Sequence, residues 1–336
     1  MSSESTRPAH GRMALTVGIG VAFLAAYPLW GTVYGMSIVQ DALILGIFAL
    51  SLDLLWGKGG LPSFGHAAFF GLGGYAYAIV SMQLGNEWGP LAGLVAALAI
   101  CALAGAILGV FLLTAGIRGA LFLIVTVAIV QIFHQVAISW SSLTGGDNGI
   151  VGLPPLGLRS LSEHAVLDTP AKRYFAVLLI AAAALLLLDR LCRGRFGRRL
   201  AAVVDNEPRA LTLGINPSLE LTKTLVLSTT IAGFAGTLFV ASAGVVVPEF
   251  IGPLFSIEVV VWVLIGGRGT LIGPFVGTFV VWRLSQEVSS YDPRLWQLAI
   301  GSFFVLSVFL LPRGIASLRG DAARALFSRV ARAVRP

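Results

Sequence analysis

Long apolar stretches, separated by short polar or glycine-rich connections, dominate the pattern of residues along this chain. A helix crosses the hydrocarbon core of a bilayer with about 20 predominantly apolar residues. The predicted fold class is therefore an all-α integral membrane protein of about ten transmembrane segments, with eight or nine as alternatives. The ten predicted segments are 13–33, 36–56, 66–84, 90–115, 119–139, 173–190, 224–246, 255–267, 271–286 and 294–311.

Two irregular stretches predict that some of these helices are broken or re-entrant. The segment 255–267 is short for a full crossing and runs into Gly266, Gly267 and Gly269, and a similar glycine-rich stretch covers 57–66. Non-helical backbone is tolerated at membrane depth only where protein or water surrounds it. We therefore expect both stretches to be enclosed by the bundle rather than exposed to lipid.

The composition supports a surface that faces lipid. Hydrophobic residues make up 57% of the chain and charged residues only 12%, whereas soluble proteins carry about 25% charged residues. We expect a single transmembrane domain over 1–336. The two cysteines and four histidines are scattered, so no disulfide framework, metal site or cofactor is expected. The net charge of +7 favours cytoplasmic loops that face anionic lipid over binding to nucleic acid.

The distribution of basic residues predicts the orientation. With the N-terminus in the cytoplasm, ten crossings place Lys58, Arg118, Arg268, the connection 190–223 and the tail 313–336 on the cytoplasmic side, as the positive-inside rule requires. The connection 140–172 then lies outside. The tail fits either a basic amphipathic helix on lipid or a disordered basic segment. The cytoplasmic side receives 18 of the 23 Lys and Arg residues, all except Arg159, Lys172, Arg173, Arg283 and Arg294.

The basic connection 190–223 carries the clearest local signals. Its sequence predicts a helix, a turn, a short helix, a second turn and a long helix. Asn206 is a suitable cap for the short helix, with Glu207 and Pro208 in its first turn, and Gly214 is a suitable residue just after its end. A short capped helix below the membrane, with Ala202, Ala210, Leu211 and Leu213 as a small apolar face, would fit a groove on a partner. The alternative is an ordinary basic loop that anchors the neighbouring span to lipid.

Glycines and polar residues at the start of the third segment allow two interpretations. Gly65 and the glycines that follow it permit close helix packing, and Ser63 and His66 lie near the membrane boundary. One interpretation is a pore-side element that moves in gating. The other is close packing with Ser63 as the cap of the helix.

Ionisable and amide side chains interrupt other apolar segments. Asp41, Asp53 and Glu258 should face the bundle interior, because a charge at the bilayer centre costs about 3 kcal/mol or more. A buried hydrogen bond to the backbone of a broken helix is favoured over a role in transport. Gln131 and Gln135, one helical turn apart, would either bond across a helix interface or line a translocation path.

Four motifs together resemble the branched-chain amino acid ABC permease family. They are Trp56–Gly57 with Ser63–Tyr75, Leu143–Pro154, Gly197–Ala210 with Leu213–Asn216, and Gly266–Pro274. They occur in family order and cover about residues 37–315. The connection with Thr144 and two following glycines resembles the second of the two permeases that these systems use.

The resemblance implies partners and a location. Such permeases lie in the bacterial inner membrane and pair with a homologous second permease, two cytoplasmic ABC ATPases and a periplasmic substrate-binding protein. The resemblance also implies an ATPase-coupling segment. The residue pattern itself makes glycine, serine, histidine and glutamine positions in the irregular stretches and in the fifth segment candidates for pore lining or gating. The coupling residues would be Val204, Asp205, Asn206, Glu207, Pro208, Arg209, Leu213 and Gly214, and the pore or gating candidates Ser63, Gly65, His66, Gln131, Gln135, Gly266, Gly267 and Gly269.

The expected function is transport of branched-chain or other apolar amino acids, with no enzyme activity in this chain. The sequence has no glycine-rich phosphate loop with a following Lys-Ser or Lys-Thr, so partner subunits are expected to hydrolyse the ATP. Related permeases move urea and short amides, which leaves that substrate class as an alternative. An ion-coupled secondary transporter would also explain intramembrane acids, but it does not need the capped helix in 190–223.

Overall fold

A computed structural model describes residues 9–85, 87–154, 169–291, 298–302 and 304–305. Nearly all of these residues are helical, as predicted. Residues 298–302 and 304–305 are helical as well. The helices with defined bounds are α1 (Ala9–Ala26), α2 (Val33–Asp53), α3 (His66–Leu84), α4 (Gly89–Thr114), α5 (Gly119–Ser139), α6 (Ser141–Thr144), α7 (Pro170–Arg193), α8 (Arg195–Asp205), α9 (Glu207–Thr212), α10 (Pro217–Ala243), α11 (Pro253–Gly266) and α12 (Gly273–Tyr291).

Six of the described helices are long and apolar enough to cross a membrane. They are α3, α4, α5, α7, α10, and α2 together with its π-helical continuation Leu54–Lys58. Two shorter apolar helical stretches, Val17–Leu29 and Pro253–Gly266, add to them. The described part of the chain is thus nearly all-α with six candidate spans, consistent with the expected integral membrane protein, and the count of about ten crossings stays a prediction. Most of the predicted segment 294–311 and all of the tail 313–336 lie outside the described residues.

The predicted segment boundaries agree best with the observed helix ends where a glycine-rich or polar turn separates two apolar segments. Segments 66–84 and 119–139 coincide with α3 and α5. The first predicted segment, 13–33, was too long at its end: α1 stops at Ala26 and a 3-10 turn, Tyr27–Leu29, follows it. Proline in the first turn of that 3-10 segment explains the stop, because it cannot donate a hydrogen bond back into α1.

Helix α2 is the central element of the bundle and is buried along nearly its whole length. It packs against α7, α10, α11 and α12. At Gly46 the absence of a side chain makes room for the ring of Phe275 in α12. The hydrophobic core on the other face of α2 is built around an aromatic group formed by Phe48, Phe70, Phe255 and Trp262.

Helices α3, α4 and α10 form a second closely packed group. A Cβ atom on Gly73 of α3 would meet the backbone of Gly233 in α10, and one on Gly105 of α4 would meet Thr229 of α10. Small residues at such positions let helix backbones approach each other and gain van der Waals contact, which replaces the hydrophobic driving force that is absent in lipid.

The connection after α5 folds back onto the bundle. Strand β1 (Ile150–Val151) pairs in antiparallel fashion with β2 (Val245–Val246), and Ile150 is opposite Val246. The hydroxyl of Tyr77 donates a hydrogen bond of 2.7 Å to the carbonyl of Pro154. The first part of the predicted connection 140–172 thus covers α3 and α10, and residues 155–168 lie outside the described part.

Candidate coupling and translocation site

Helix α9 is held by the caps that the sequence predicted. The Oδ1 atom of Asn206 accepts a hydrogen bond of 2.9 Å from the amide of Arg209, and Pro208 lies in the first turn. Gly214, just beyond the end of the helix, has a φ of 75°. Asn216 caps α10 in the same way, by accepting a bond of 3.2 Å from the amide of Leu219. These contacts fix a six-residue helix that would be unstable alone.

The inner face of the α8–α9 segment packs against the base of the bundle. Leu200, Val203 and Ala210 are each 1% exposed. The sequence analysis placed Ala210 on a face for a partner, and this was wrong, because its methyl group fills a gap in the chain's own core. The other buried members of this cluster come from the ends of α2, α4, α5 and α10 and are Leu55, Leu61, Leu112, Leu113, Phe122, Leu221 and Leu225.

Polar contacts join α9 to the connection between α4 and α5. Arg118 in that connection forms an ion pair with Glu207, and its guanidinium also donates a hydrogen bond of 3.4 Å to Ser218. Ser218 in turn donates to the carbonyl of Leu113, at 2.9 Å. Partial burial lowers the pKa of Arg118, and the nearby carboxylate of Glu207 favours the charged form. Arg118 and Ser218 therefore connect α9 to the end of α4 and to the starts of α5 and α10.

The outer face of α9 leaves apolar side chains in contact with solvent. Leu211 and Leu213 are 59% and 68% exposed, and Val204 at the end of α8 is 48% exposed. Asp205, Asn206, Pro208 and Arg209 surround them and are also exposed. An apolar centre with a polar rim is typical of a protein interaction surface.

Asp53 ties the end of α2 to the break between α11 and α12. Its carboxylate accepts hydrogen bonds from the amide of Gly269 at 2.5 Å and from the amide of Leu271 at 3.3 Å. The loop needs this support because Leu271 adopts a left-handed φ of 58°, in addition to Gly267 at 109° and Gly269 at 79°. The prediction of a buried acid bonded to the backbone of a broken helix is confirmed for Asp53.

His66 lies at the centre of a buried hydroxyl cluster. Its Nε2 atom is 2.8 Å from the Oγ of Ser51 in α2 and 3.4 Å from the Oγ of Ser228 in α10. The ring stacks on Phe48 with a centroid distance of 5.6 Å. No solvent reaches the side chain. His66 therefore joins α2, α3 and α10 inside the bundle.

Ser63 does not cap α3, contrary to the sequence analysis. The cap position belongs to Gly65, and Ser63 only accepts a bond of 3.3 Å from the amide of that glycine. Glycine is required there because a Cβ atom would meet the backbone of Thr126 in α5. Gly266 is equally enclosed, since a Cβ atom on it would meet the carbonyl of Gly273.

Gln131 and Gln135 lie on an exposed face of α5. Within the described residues, Gln135 donates to Ser139 of its own helix, at 3.1 Å, rather than to another helix. Asp41 in α2 and Glu258 in α11 are half-buried. The structure thus places the predicted site residues in three groups: the surface of α9, the enclosed joints at His66 and Asp53, and the open face of α5.

Sequence reasoning missed the partners in these groups. Ser51 and Thr126 are isolated hydroxyl residues in apolar segments, and Ser228 begins the run Ser228–Thr230. Their positions in the sequence do not reveal which helices they join. Arg118 was expected only as a charge on the cytoplasmic side. Its separation by 89 residues from Glu207 left no local signal for the ion pair.

Comparisons with known proteins identify the family of the chain. The family profile described as branched-chain amino acid transport system / permease component matches residues 34–311. The high-affinity branched-chain amino acid transport system permease protein LivM is 30% identical in Salmonella typhimurium, over 86% of this chain and 72% of that protein. LivM of Escherichia coli is 29% identical, over 85% of this chain and 70% of that protein.

A more distant relative is the autoinducer 2 import system permease protein LsrC of Klebsiella pneumoniae, which is 30% identical over 63% of this chain and 60% of that protein. No solved structure matches the chain. The profile covers most of the chain and includes α2, α5, α9 and the break between α11 and α12. This multi-pass membrane protein, a permease rather than an enzyme, belongs to the family of permease components of branched-chain amino acid transport systems.

Proposed function

We propose that this chain is the membrane-spanning subunit of an ABC importer that carries branched-chain or other apolar amino acids across the bacterial inner membrane. Its proposed partners are a homologous second permease, two cytoplasmic ATPases and a periplasmic substrate-binding protein. The observation that carries the proposal is the position of α9. This capped helix packs against the bundle on one side and exposes apolar side chains on the other. A secondary transporter has no need for such a surface.

The proposed threading has ten crossings, with the N-terminus, the α8–α9 segment and the tail in the cytoplasm. The distribution of Lys and Arg supports it. In this orientation α9 meets the ATPase. The first part of the connection after α5, which covers α3 and α10, then faces the binding protein.

The proposed coupling runs from α9 into the bundle. Leu211 and Leu213 would occupy a groove on the ATPase, and the Arg118–Glu207 pair would pass the displacement to the inner ends of α4 and α5. The core beneath α8 and α9 would move with them, because packed side chains shift as a unit. Gln131 and Gln135 on the open face of α5 would line the path between the two permeases, where an amino acid needs polar partners.

A reconstitution experiment tests the coupling role. Proteoliposomes that contain both permeases and the ATPases, supplied with the binding protein and ATP, should accumulate radiolabelled leucine. The double variant Leu211→Ala, Leu213→Ala should reduce uptake at least about tenfold, because such anchors each contribute more than 1 kcal/mol. Folding should be unchanged, since both side chains are exposed. Arg195→Ala, an equally exposed truncation on α8, is the matched control and should retain uptake.

Four results would contradict the proposal. Normal ATP-driven uptake in the double variant would remove the docking role from α9. Uptake by this chain alone, driven by a proton gradient, would identify a secondary transporter. Uptake of urea or acetamide in place of leucine would assign the chain to the amide branch. Uptake of a sugar would agree instead with the fructose import permease FrcC of Rhizobium meliloti, which is 29% identical over 40% of this chain.

A further inference from the structure

An apolar groove runs along the side of the bundle between α1, α2, α7 and α12. Its volume is about 360 Å³, and it opens to the outside of the chain. Only apolar side chains and a glycine line it. A groove of this kind inside a bilayer accepts hydrocarbon, because an acyl chain gains contact there without loss of hydrogen bonds. Residues that represent the four walls are Gly20, Leu24, Ala42, Leu178, Leu185 and Phe279.

A second cavity, of about 340 Å³, lies at the inner end of α7. Its lining is mixed, and the polar side chains of Lys58, Asp189, Arg193 and Thr270 lie there among apolar ones. Asp189 accepts a hydrogen bond of 2.7 Å from the Nε of Arg193, so its negative charge is matched by that arginine. The ammonium group of Lys58 remains as the net positive charge of the cavity, and Lys58 itself is only partly exposed.

The two cavities adjoin each other along α7 and the start of α12. Leu185 lines the apolar groove and Asp189 lines the polar cavity, one helical turn or about 6 Å further along α7. Ile272 lines the groove, and the preceding residue, Leu271, lines the cavity. The apolar groove and the charged cavity therefore have neighbouring linings on α7 and at the start of α12.

We propose that these two neighbouring cavities together bind one anionic phospholipid of the inner leaflet, with an acyl chain in the apolar groove and the phosphate beside Lys58 and Arg193. Basic pockets between helices on the cytoplasmic side are suited to anionic head groups. A soluble phosphate would use only the cationic part, and a neutral lipid would use only the apolar part. The placement in the inner leaflet rests on the orientation proposed above.

The lipid would join mobile and fixed parts of the permease. The polar cavity is lined by Gly197, Leu200 and Ala201 of α8 as well as by Thr270 and Leu271 of the loop that Asp53 supports. A bound head group would therefore contact both the segment that leads to α9 and the break between α11 and α12. The apolar part would keep α1 against α7, to which it is packed in the structure.

Native mass spectrometry of the full chain, delipidated in detergent, measures the binding directly. The probes are dioleoyl phosphatidylglycerol and dioleoyl phosphatidylcholine at equal concentration. Wild type should retain one phosphatidylglycerol in preference to phosphatidylcholine. Lys58→Gln should weaken phosphatidylglycerol retention about fivefold, as expected for the loss of one basic residue near a lipid phosphate. Arg198→Gln, which removes the same charge from an exposed position on α8 outside the cavity, should leave retention unchanged.

A second pair of variants tests the acyl part. Gly20 lines the groove and has open space around it, so Gly20→Phe should occupy the groove and reduce retention of both lipids without distorting α1. Gly18 also has open space but does not line the groove, and Gly18→Phe is the matched control. The thermal midpoint of each variant without lipid shows whether it is folded.

Four results would overturn the proposal. The first is equal retention of the two lipids by wild type. The second and third are unchanged phosphatidylglycerol retention in Lys58→Gln and unchanged retention in Gly20→Phe. The fourth is that inorganic phosphate displaces more phosphatidylglycerol than chloride does at equal ionic strength. The last result would identify a soluble anion site. Because bound lipid is measured without transport, failure of this test leaves the proposed transport function standing, and failure of the uptake test leaves the lipid site standing.

Discussion

At the scale of single residues, the hydrogen positions in the cluster around His66 follow from its neighbours. The hydroxyl of Ser51 donates to the carbonyl of Phe48 at 2.6 Å, and the hydroxyl of Ser228 donates to the carbonyl of Ser51 at 2.5 Å. Each hydroxyl has one hydrogen, so both oxygens can only accept from the imidazole. Nε2 of His66 must then carry a proton.

This proton count gives a spectroscopic prediction. His66 should be the Nε2–H tautomer, with Nδ1 unprotonated and without a hydrogen-bond partner among the described residues. Nitrogen NMR of protein labelled at histidine should show one pyrrole-type Nε2 and one pyridine-type Nδ1 signal that disappear in His66→Gln. An Nδ1–H tautomer at this position would contradict the arrangement of the hydroxyl groups.

Asp53 provides a second prediction at this scale. Asp53→Asn keeps one acceptor oxygen but turns an NH₂ group towards a backbone amide that needs an acceptor. The variant should lower the free energy of unfolding by about 1–3 kcal/mol, the cost of an unsatisfied buried group. Thermal unfolding in detergent measures the loss.

The control for Asp53→Asn is Asp41→Asn on the same helix, where the described residues include no hydrogen-bond partner for the carboxylate. Asp41→Asn removes an equal charge but no bond to the loop, so it should change the melting temperature less. An Asp53→Asn variant as stable as wild type would show that Gly269 and Leu271 do not depend on the carboxylate.

At the scale of helices, close contact between backbones depends on glycine. Gly236 of α10 faces Phe70 of α3, and a Cβ atom on it would overlap the carbonyl of that residue. A backbone carbonyl cannot rotate away as a side chain can, so the helices would have to separate. The contact between α3 and α10 is one of the closest in the bundle and also fixes the position of His66.

Gly236→Ala should therefore destabilise the protein by about 1–3 kcal/mol, as expected for overpacking in a tight core. Gly18→Ala in α1 meets no atom within 4 Å and is the control; it should be neutral or slightly stabilising. Thermal unfolding in one detergent allows a direct comparison. Equal melting temperatures for the two variants would mean that α3 and α10 do not approach as closely as described.

The sequence predicted the helices well but not their neighbours. Spans such as 66–84 follow from length and hydrophobicity, and α9 follows from Asn206, Pro208 and Gly214. By contrast, α2 is buried throughout while α4 and α5 are mostly exposed, although all three are strongly apolar. Lipid and protein core select the same residue types, so hydrophobic periodicity carries little information on which face packs.

The sequence predicts those parts of the site whose contacts join residues that are close in the chain. The caps of α9 and α10, Asn206 and Asn216, lie within three residues of the amides that they accept from, and the sequence specifies them directly. By contrast, the loop between α11 and α12 is held by a hydrogen bond to Asp53, which lies more than 200 residues earlier in the chain. That acid was expected to bond to a broken helix, but only the folded chain identifies which one.

At the scale of the whole molecule, α8 and α9 close the cytoplasmic base of the bundle in the proposed orientation. They contact the ends of α2, α4, α5 and α10 through one hydrophobic cluster and through the ion pairs Arg118–Glu207 and Arg199–Glu220. A displacement of this base reaches four helices at once. The proposed transport function depends on the exposure of this surface to the cytosol, where an ATPase is able to bind it.

Site-directed labelling measures that exposure. In a Cys192→Ala background, where the remaining Cys101 is buried, Thr212→Cys presents a thiol on the exposed face of α9 and Ser142→Cys presents one on the connection after α5. A membrane-impermeant maleimide should label position 142 in intact spheroplasts and position 212 only in inside-out vesicles. Labelling of position 212 in intact spheroplasts would contradict both the orientation and the coupling role of α9.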